Sequence, residues 1–218
     1  AIVSKTWFAT AFADHPYGLP NSGSIETVKA INTADLRKFM AKALARDRLT
    51  IGVVGDISAA DLGPLLDRTF GALPASAKIA TVPKATLKGP GLLKVVEKTI
   101  PQSRVMFGAQ GLKRDDPDWY AAYVLNYVLG GGGFSSRLNE EVREKRGLAY
   151  SVYSYLYPLD HAAIHLGGVG TQNQRVKETL KVIKEQIARA GEAGITAEEL
   201  ANAKTYLNGS FPLRLTSS

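Results

Sequence analysis

The chain has 218 residues, 45% of them hydrophobic, and 27 Lys and Arg against 20 Asp and Glu give it a net charge of +7. This length and composition are typical of a globular protein with a sizeable core. The absence of cysteine excludes disulfides, thiolate metal ligands and cysteine nucleophiles. No apolar run approaches the roughly 18 residues that a membrane span needs.

The positive charge is dispersed along the chain. Lys and Arg alternate with acids in stretches such as "RVKETLKVIKEQIARA", which is typical of a solvated helix face. We therefore expect no nucleic-acid partner. Because the sequence begins at Ala1 without methionine and with no cleavable leader pattern, we expect a mature product or a fragment.

The first elements along the chain are predicted to be a helix, a strand and a helix. Thr33 is the predicted cap of the first helix. Five apolar residues at helical spacing predict one apolar stripe on this helix: Leu36, Phe39, Met40, Ala43 and Leu44. Residues 49–55, "LTIGVVG", predict a short buried strand. Ser58 and Asp61 predict a capping box for a helix that ends at Gly71.

A proline-rich stretch follows these elements. Residues 72–91, "ALPASAKIATVPKATLKGPG", contain three prolines and three lysines but no acid, a composition that predicts a linker. Strands are predicted beyond it at residues 92–98, 103–110, 149–157 and 161–170. Helices are predicted to begin near Asp116, Asn173 and Thr196. Strand pairs separated by helices, without regular alternation, predict the α+β class.

Two glycine-rich stretches can be compared with nucleotide sites. Residues 130–138, "GGGGFSSRL", lack the Lys followed by Ser or Thr that a phosphate-binding loop needs. His165–Gly170, "HLGGVG", follows a predicted strand and precedes a helix, but Asn173 occupies the position of the third glycine of a dinucleotide fingerprint. A nucleotide-binding α/β-type domain that uses the His165–Gly170 glycine turn is therefore the alternative function.

The histidines do not predict a metal site. His161 and His165 fall in a predicted strand, where four residues separate them by roughly 13 Å, too far for one ion. His15 lies in the turn-like stretch "HPYG". We therefore expect neither a metal site nor a Ser-His-Asp set, and no hydrolytic activity from this chain alone.

The segment "LGGGGFSSRLNEEVREKRGLAY", residues 129–150, carries the strongest functional signal. Its four glycines permit a tight reversal and close backbone approach. Ser136 is predicted to cap a short polar helix that Gly147 ends, and the basic residues of this helix are predicted to be mostly solvated, with Arg143 the exception. A helix that ends after residue 146 and a strand that begins about three residues later direct Arg143 and Tyr150 toward one volume. A solvated basic turn with an ordinary strand tyrosine is the competing interpretation.

This segment, together with "HPYGLPNSGSIETVKAINTADLRKFMAKALARDRLTIGVVGDIS", resembles the insulinase, pitrilysin and mitochondrial processing peptidase family of zinc metallopeptidases, particularly its bacterial members. The resemblance covers nearly the whole chain and implies repeated α+β units. Residues 1–71 are then the trailing part of a first unit, residues 72–91 the linker, and residues 92–218 most of a second unit.

The family's zinc site, an inverted His-x-x-Glu-His with a distant second Glu, lies upstream of the "HPYG" turn and is absent from this sequence. The resemblance implies that zinc is held by a missing segment or a partner, where zinc-activated water attacks a peptide carbonyl. In the family's second unit an arginine and a tyrosine seven residues apart hold the substrate, and these match Arg143 and Tyr150. They are the substrate-binding residues that we predict.

Two hypotheses stay open within this resemblance. The chain is either a fragment of a complete peptidase or a non-catalytic subunit that works beside a zinc-bearing partner, as in the family's heterodimers. Either way the expected partners are a peptide or unfolded polypeptide and a zinc-bearing segment or subunit, in a dimer. The style of the match favours a bacterial origin, and the location that we expect is the cell envelope, such as the periplasm, over the cytoplasm.

Overall fold

The structure is a computed structural model that describes residues 2–214. The α-helices within that range are α1 (Ile2–Ala11), α2 (Ile25–Ala30), α3 (Thr33–Ala43), α4 (Ala59–Phe70), α5 (Trp119–Asn126), α6 (Val176–Ala193) and α7 (Ala197–Ser210). The strands are β1 (Gln102–Gln110), β2 (Ala149–Pro158) and β3 (Ala163–Gln172). Two segments wind as π-helix, Tyr127–Gly131 and Asn139–Glu144.

The three strands form one antiparallel sheet in the order β1, β3, β2. The central strand, β3, pairs with β1 from Gln172 opposite Gln102 onward. A tight turn joins β2 to β3, with the Leu159 N–H donating to the Ala162 carbonyl at 2.8 Å. Helices combined with an antiparallel sheet confirm the predicted α+β class.

The chain forms two compact units. One contains the residues up to Leu19 and those from Lys84 onward, and therefore holds the sheet with α1, α5, α6 and α7. The other, Pro20–Pro83, holds α2, α3 and α4. The division predicted from the sequence is different: the end of one family repeat (residues 1–71), a linker (72–91) and most of a second repeat (92–218). That division stays a prediction.

The central strand, β3, is buried on both faces, because its successive side chains point in opposite directions and each face is covered by other elements. On one face Val152 and Val169 pack with Leu138, Val142 and Ile183. On the other face, α1 and the residue that follows it cover part of β3, where Phe12 packs with Ile164 and Leu166. Each such apolar side chain contributes about 1.5–3 kcal/mol on burial, so this core holds β2, the strand that carries Tyr150, in place.

The helix caps follow the sequence closely, with one shift. The cap of α3 is Asn32, not the predicted Thr33, because the Asn32 amide oxygen reaches two backbone donors, Ala34 N–H at 2.9 Å and Asp35 N–H at 3.2 Å. Ser58 caps α4 as predicted, accepting from the Asp61 N–H at 3.2 Å. The predicted capping box that begins α7 at Thr196 is confirmed.

The apolar stripe of α3 is not covered within Pro20–Pro83. Its four large members are 47–66% exposed: Leu36, Phe39, Met40 and Leu44. The predicted stripe therefore has no described element of this unit packed over it.

Two predicted strands are absent from the described residues. Residues 49–55 and 92–98 form no ladder with another segment. A strand is stabilised by cross-strand hydrogen bonds and side-chain pairs, and neither stretch has a described neighbour that supplies them. The strands predicted at residues 103–110, 149–157 and 161–170 are confirmed as β1, β2 and β3 within two residues.

Candidate functional site

The glycine run packs tightly against β2. A Cβ on Gly130 would lie 2.4 Å from the Ser154 hydroxyl and 2.8 Å from the Ser154 backbone nitrogen. A Cβ on Gly131 would lie 2.7 Å from the Asn126 amide nitrogen. All three distances are far below normal contact, so only glycine permits this approach. The run therefore serves backbone geometry, as predicted.

The polar helix after the run begins without the predicted side-chain cap. The Ser136 hydroxyl donates to the Gly133 carbonyl at 2.8 Å instead of accepting from the next turn. The predicted stop is present, because Gly147 has φ +57° and its N–H donates to the Arg143 carbonyl at 2.8 Å. The chain then reverses directly into β2.

A β-bulge places Tyr150 at the start of β2. Ala149 lies opposite Thr171 and Ser151 lies opposite Gly170, so Tyr150 is the extra residue between two paired positions. Bulges redirect side chains and end regular pairing. The Tyr150 side chain is 82% exposed, whereas its neighbour Ala149 is buried.

The structure brings Arg143 and Tyr150 together. The guanidinium carbon of Arg143 lies 5.1 Å from the centre of the Tyr150 ring. It also lies 4.7 Å from the centre of the Phe134 ring, a contact that the sequence did not predict. Both distances fall within the range of cation–π attraction. We call Phe134, Arg143 and Tyr150 the aromatic-arginine cluster.

The hydrogen-bond donors of Arg143 are unspent. Among residues 2–214 its charged partner is Glu144, with Nε and Oε1 at 3.4 Å, and its guanidinium donates no hydrogen bond. The Arg143 side chain is 28% exposed. A planar guanidinium has five N–H donors, which match carboxylate and carbonyl oxygens. The cluster therefore offers an accessible cation with free donors beside a phenol hydroxyl.

Arg137 is a further exception to the prediction that the basic residues of this helix, apart from Arg143, are mostly solvated. Its side chain is only 8% exposed and forms a bidentate pair with Glu199, Nε and Nη2 each donating at 2.6 Å. Nη2 also donates to the Gly194 carbonyl at 3.0 Å. These bonds lower the pKa of Glu199 to about 2, with the Arg137 hydrogen bonds as the largest cause.

The remaining basic residues of the helix are on the surface. Lys145 Nζ lies 2.7 Å from a Glu141 oxygen, and Arg146 Nη1 donates to the other Glu141 oxygen at 2.6 Å. The hydrogen bonds from Lys145 and then Arg146 hold the pKa of Glu141 below its usual value. This group is a solvated charge network, as the sequence predicted for most of the helix.

A buried polar network lies between α5 and the sheet, and the sequence did not reveal it. The Asn126 amide oxygen accepts from the Ser154 hydroxyl at 2.8 Å and from His165 Nε2 at 2.9 Å. Because an amide oxygen only accepts, His165 carries its proton on Nε2. Burial lowers the pKa of His165. The sequence signal that could have revealed this network is a polar residue on the buried face of each of these elements.

A cavity of about 370 Å³ adjoins this network. Asn126 and Ser154 line it together with aromatic residues: Trp119, Tyr123, Tyr127, Tyr153 and Tyr155. Arg114 also lines it, with its guanidinium carbon 5.5 Å from the centre of the Trp119 ring. The lining therefore combines five aromatic rings with a few polar groups.

The His165–Gly170 stretch is not a turn. All six residues lie inside β3 and are paired with β1 on one side and β2 on the other. A dinucleotide fingerprint needs its glycines in the turn between a strand and a helix, where the helix N-terminus meets the pyrophosphate. Instead, Gly168 lies under Tyr153, whose hydroxyl would be 2.7 Å from an added Cβ. The alternative function has lost its structural basis.

The described residues do not fit a metal. In residues 2–214, no group of three or more His, Asp or Glu side chains is arranged to hold an ion. The His165 side chain is bound to Asn126 within the network. Zinc chemistry therefore has no ligand set among the described residues.

None of the helices described is both long and apolar enough to cross a bilayer.

Comparison with protein families gives a match over residues 30–207 to the model described as the peptidase M16 inactive domain. A curated "uncharacterized zinc protease" of Streptomyces coelicolor is 34% identical over 212 residues, 94% of this chain and 46% of the relative. The Bacillus subtilis "uncharacterized zinc protease YmxG" is 33% identical over 217 residues, 100% of this chain and 52% of the relative.

A relative from Helicobacter pylori carries a different name, "non-peptidase homolog YmxG". It is 34% identical over 208 residues, 93% of this chain and 47% of the relative. Among solved structures, a peptidase M16 inactive domain from Pseudomonas fluorescens superposes with a TM-score of 0.86 at 33% identity, covering 96% of this chain and 50% of that one. The chain spans about half the length of the curated relatives it matches.

Proposed function

The chain belongs to the peptidase M16 family, as a non-catalytic inactive domain, and on this premise we propose that it binds the polypeptide substrate of a zinc-bearing segment or subunit. The single observation that supports this proposal is the aromatic-arginine cluster. It presents Arg143 with unspent donors beside the exposed Tyr150 hydroxyl, at a position set by a β-bulge.

The two side chains suit the chemistry of a peptide bond under attack. A carbonyl oxygen gains negative charge as the tetrahedral intermediate forms, and preorganised donors stabilise that charge. Arg143 supplies a permanently charged planar fork, and Tyr150 supplies a hydroxyl donor. In this proposal Arg143 and Tyr150 bind and orient the carbonyl, and a zinc site outside the described residues supplies the attacking water.

The two hypotheses about the whole protein remain separate proposals. The relatives carry both kinds of name, zinc protease in Streptomyces coelicolor and non-peptidase homolog in Helicobacter pylori, at the same identity of 34%. In the first case the zinc ligands are in the same polypeptide, and in the second they are in a partner subunit with which this chain forms a dimer. The full-length coding sequence distinguishes the two.

The proposal is tested with Tyr150→Phe in the assembled peptidase, with the zinc-bearing segment or partner present. This change removes only the hydroxyl, so we expect a loss of about 10² to 10³ in the rate of peptide cleavage, as for one preorganised oxyanion donor. Lys145→Ala is the matched control, because Lys145 is a surface cation of the same helix. Full activity of the assembled Tyr150→Phe enzyme would contradict the proposal.

A further inference from the structure

Phe134 occupies an unusual position for an apolar ring. It is 73% exposed, while Ser136 and Leu138, two and four residues later, are fully buried. A single exposed apolar side chain needs no explanation by itself. What distinguishes Phe134 is that the Arg143 guanidinium lies over its ring.

The two ring contacts of Arg143 affect which of its hydrogen-bond donors stay available. A guanidinium that stacks on aromatic rings uses its flat face, whereas its N–H donors lie at the rim and in the plane. The Arg143 guanidinium carbon lies 4.7 Å from the centre of the Phe134 ring and 5.1 Å from the centre of the Tyr150 ring, so two rings contact the guanidinium. Contact with two rings thus holds Arg143 without consuming its hydrogen-bond donors, whereas the pair with Glu199 consumes the Nε and Nη2 donors of Arg137.

The competing partner of Arg143 is its neighbour Glu144, whose carboxylate oxygen lies 3.4 Å from Nε. A long arginine side chain has many rotamers, and it loses entropy when it is held in one. Without a ring to stack on, the guanidinium is free to turn its rim toward this carboxylate. Phe134 opposes that turn by holding the face of the guanidinium.

We propose that Phe134 is a positioning residue, which orients the Arg143 guanidinium so that its rim donors are available to a polypeptide carbonyl. This inference rests on the proposed function and adds to it a residue outside the Arg143 and Tyr150 pair. It also assigns a purpose to the turn Gly133–Ser135, where Gly133 has φ +60° and places Phe134 beside the helix that follows.

The first experiment measures the position of Arg143 in this chain alone, by NMR. Ring currents from Phe134 and Tyr150 shift the Arg143 δ-methylene and Nε–H protons, and Phe134→Leu should move these resonances toward random-coil values. Phe134→Trp keeps an aromatic face, the best of the natural rings for a cation, and should retain a ring-current shift. Unchanged Arg143 resonances in a folded Phe134→Leu chain would overturn the proposal.

The second experiment measures function in the assembled peptidase. Phe134→Leu keeps an apolar side chain but removes the ring, and should lower kcat/KM by about two- to five-fold, the worth of one exposed cation–π contact. Phe134→Trp should restore it. In an Arg143→Ala background, Phe134→Leu should have no further effect, because a positioning residue acts through the arginine.

The outcomes separate this inference from the proposed function. If Tyr150→Phe and Arg143→Ala lower activity but Phe134→Leu does not, the positioning role is wrong and the substrate-holding pair stands. The positioning role is also wrong if Phe134→Leu lowers activity equally with and without Arg143, since the ring then acts on its own. If all of these variants are fully active, the proposed function fails, whereas the NMR shift still reports whether Phe134 orients Arg143.

Discussion

Two arginines six residues apart in one polar segment have opposite environments. Arg137, at the start, is buried and spends its Nε and Nη2 donors on Glu199 and Gly194. Arg143, toward the end, is partly exposed and spends none on hydrogen bonds among the described residues. An arginine in a basic stretch therefore has no role defined by its residue type alone. Its burial and its partners decide whether its hydrogen-bond donors are used in folding or stay available to a ligand.

The Arg137 end joins distant parts of the chain. Glu199 also caps α7, where its carboxylate accepts from the Thr196 N–H at 2.7 Å. The one pair therefore connects the start of the polar helix with the start of α7. No comparable long-range connection holds the Arg143 end in the part of the chain that the structure describes, where its partners are Phe134, Glu144 and Tyr150.

Among the variants proposed here, we expect Arg137→Ala to destabilise the chain most, because it removes the buried arginine. Arg137→Ala leaves Glu199 without its charge partner and should lower the free energy of unfolding by about 3 kcal/mol. Urea denaturation of the purified chain measures it. Lys145→Ala is the control and should change stability by less than about 0.5 kcal/mol, because it removes only surface ion pairs. Equal stability of the two variants would remove the distinction between the ends.

The next prediction concerns acid pH. The pKa of Glu199 is lowered to about 2 in the folded chain, so its pairing stabilises the fold above the unfolded pKa of about 4.5. That contribution is lost as pH falls from about 4.5 toward 2. Glu199→Gln should therefore be less stable than the parent by on the order of 2 kcal/mol at pH 7, allowing for partial exposure.

The difference between the Glu199→Gln variant and the parent should shrink on acidification and be small near pH 2.5. Denaturation curves at pH 7, 4 and 2.5 measure it. A difference that is constant with pH would mean that the charge of Glu199 contributes nothing to stability.

The glycine run provides a sharper test, because its members differ in surroundings. Gly130→Ala places a methyl group against the Ser154 backbone and should destabilise the chain by about 2 kcal/mol through overpacking. Gly133→Ala has open space and only the penalty of positive φ, so it should cost about 1 kcal/mol. Thermal melts of the two variants compare them. The reverse order would show that the close approach to β2 is unimportant.

The smallest expected effect lies at the exposed end. Arg143→Ala removes contacts to two exposed rings and should change the free energy of unfolding by no more than about 1 kcal/mol. Its melting temperature should stay near that of the parent, well above that of Arg137→Ala. If Arg143→Ala unfolds the chain instead, Arg143 is a folding residue like Arg137, and the substrate-holding role is wrong.

Local sequence patterns predicted the neighbourhood of the candidate site. A glycine stop at Gly147 and the alternation of "AYSVYSYLY" placed the end of a helix beside the start of a strand, and the structure brings Arg143 and Tyr150 together there. The resemblance to the insulinase, pitrilysin and mitochondrial processing peptidase family is confirmed by the match to the M16 inactive domain. The role of the two residues stays a prediction.

Other features of the site depended on contacts between distant residues. Ser154 and Asn126 are 28 residues apart, and Arg137 and Glu199 are 62 apart. No local spacing links such pairs, so Arg137 was predicted as a solvated cation and the Asn126 network was not predicted. Phe134 was missed for a related reason, because its contact to Arg143 depends on how the turn at Gly133 directs the ring.

Features that depend on residues close together in the chain could be predicted from the sequence alone. They are the apolar periodicity of β2 and α6, the caps at Ser58 and Thr196, and the end of a helix at Gly147. These signals are local because capping bonds and periodicity involve residues a few positions apart. Which residues are buried and paired could be read only from the tertiary structure, since burial depends on what packs from elsewhere in the chain. The fold places the His165–Gly170 glycines inside a central strand, and it buries Arg137 while Arg143 stays partly exposed.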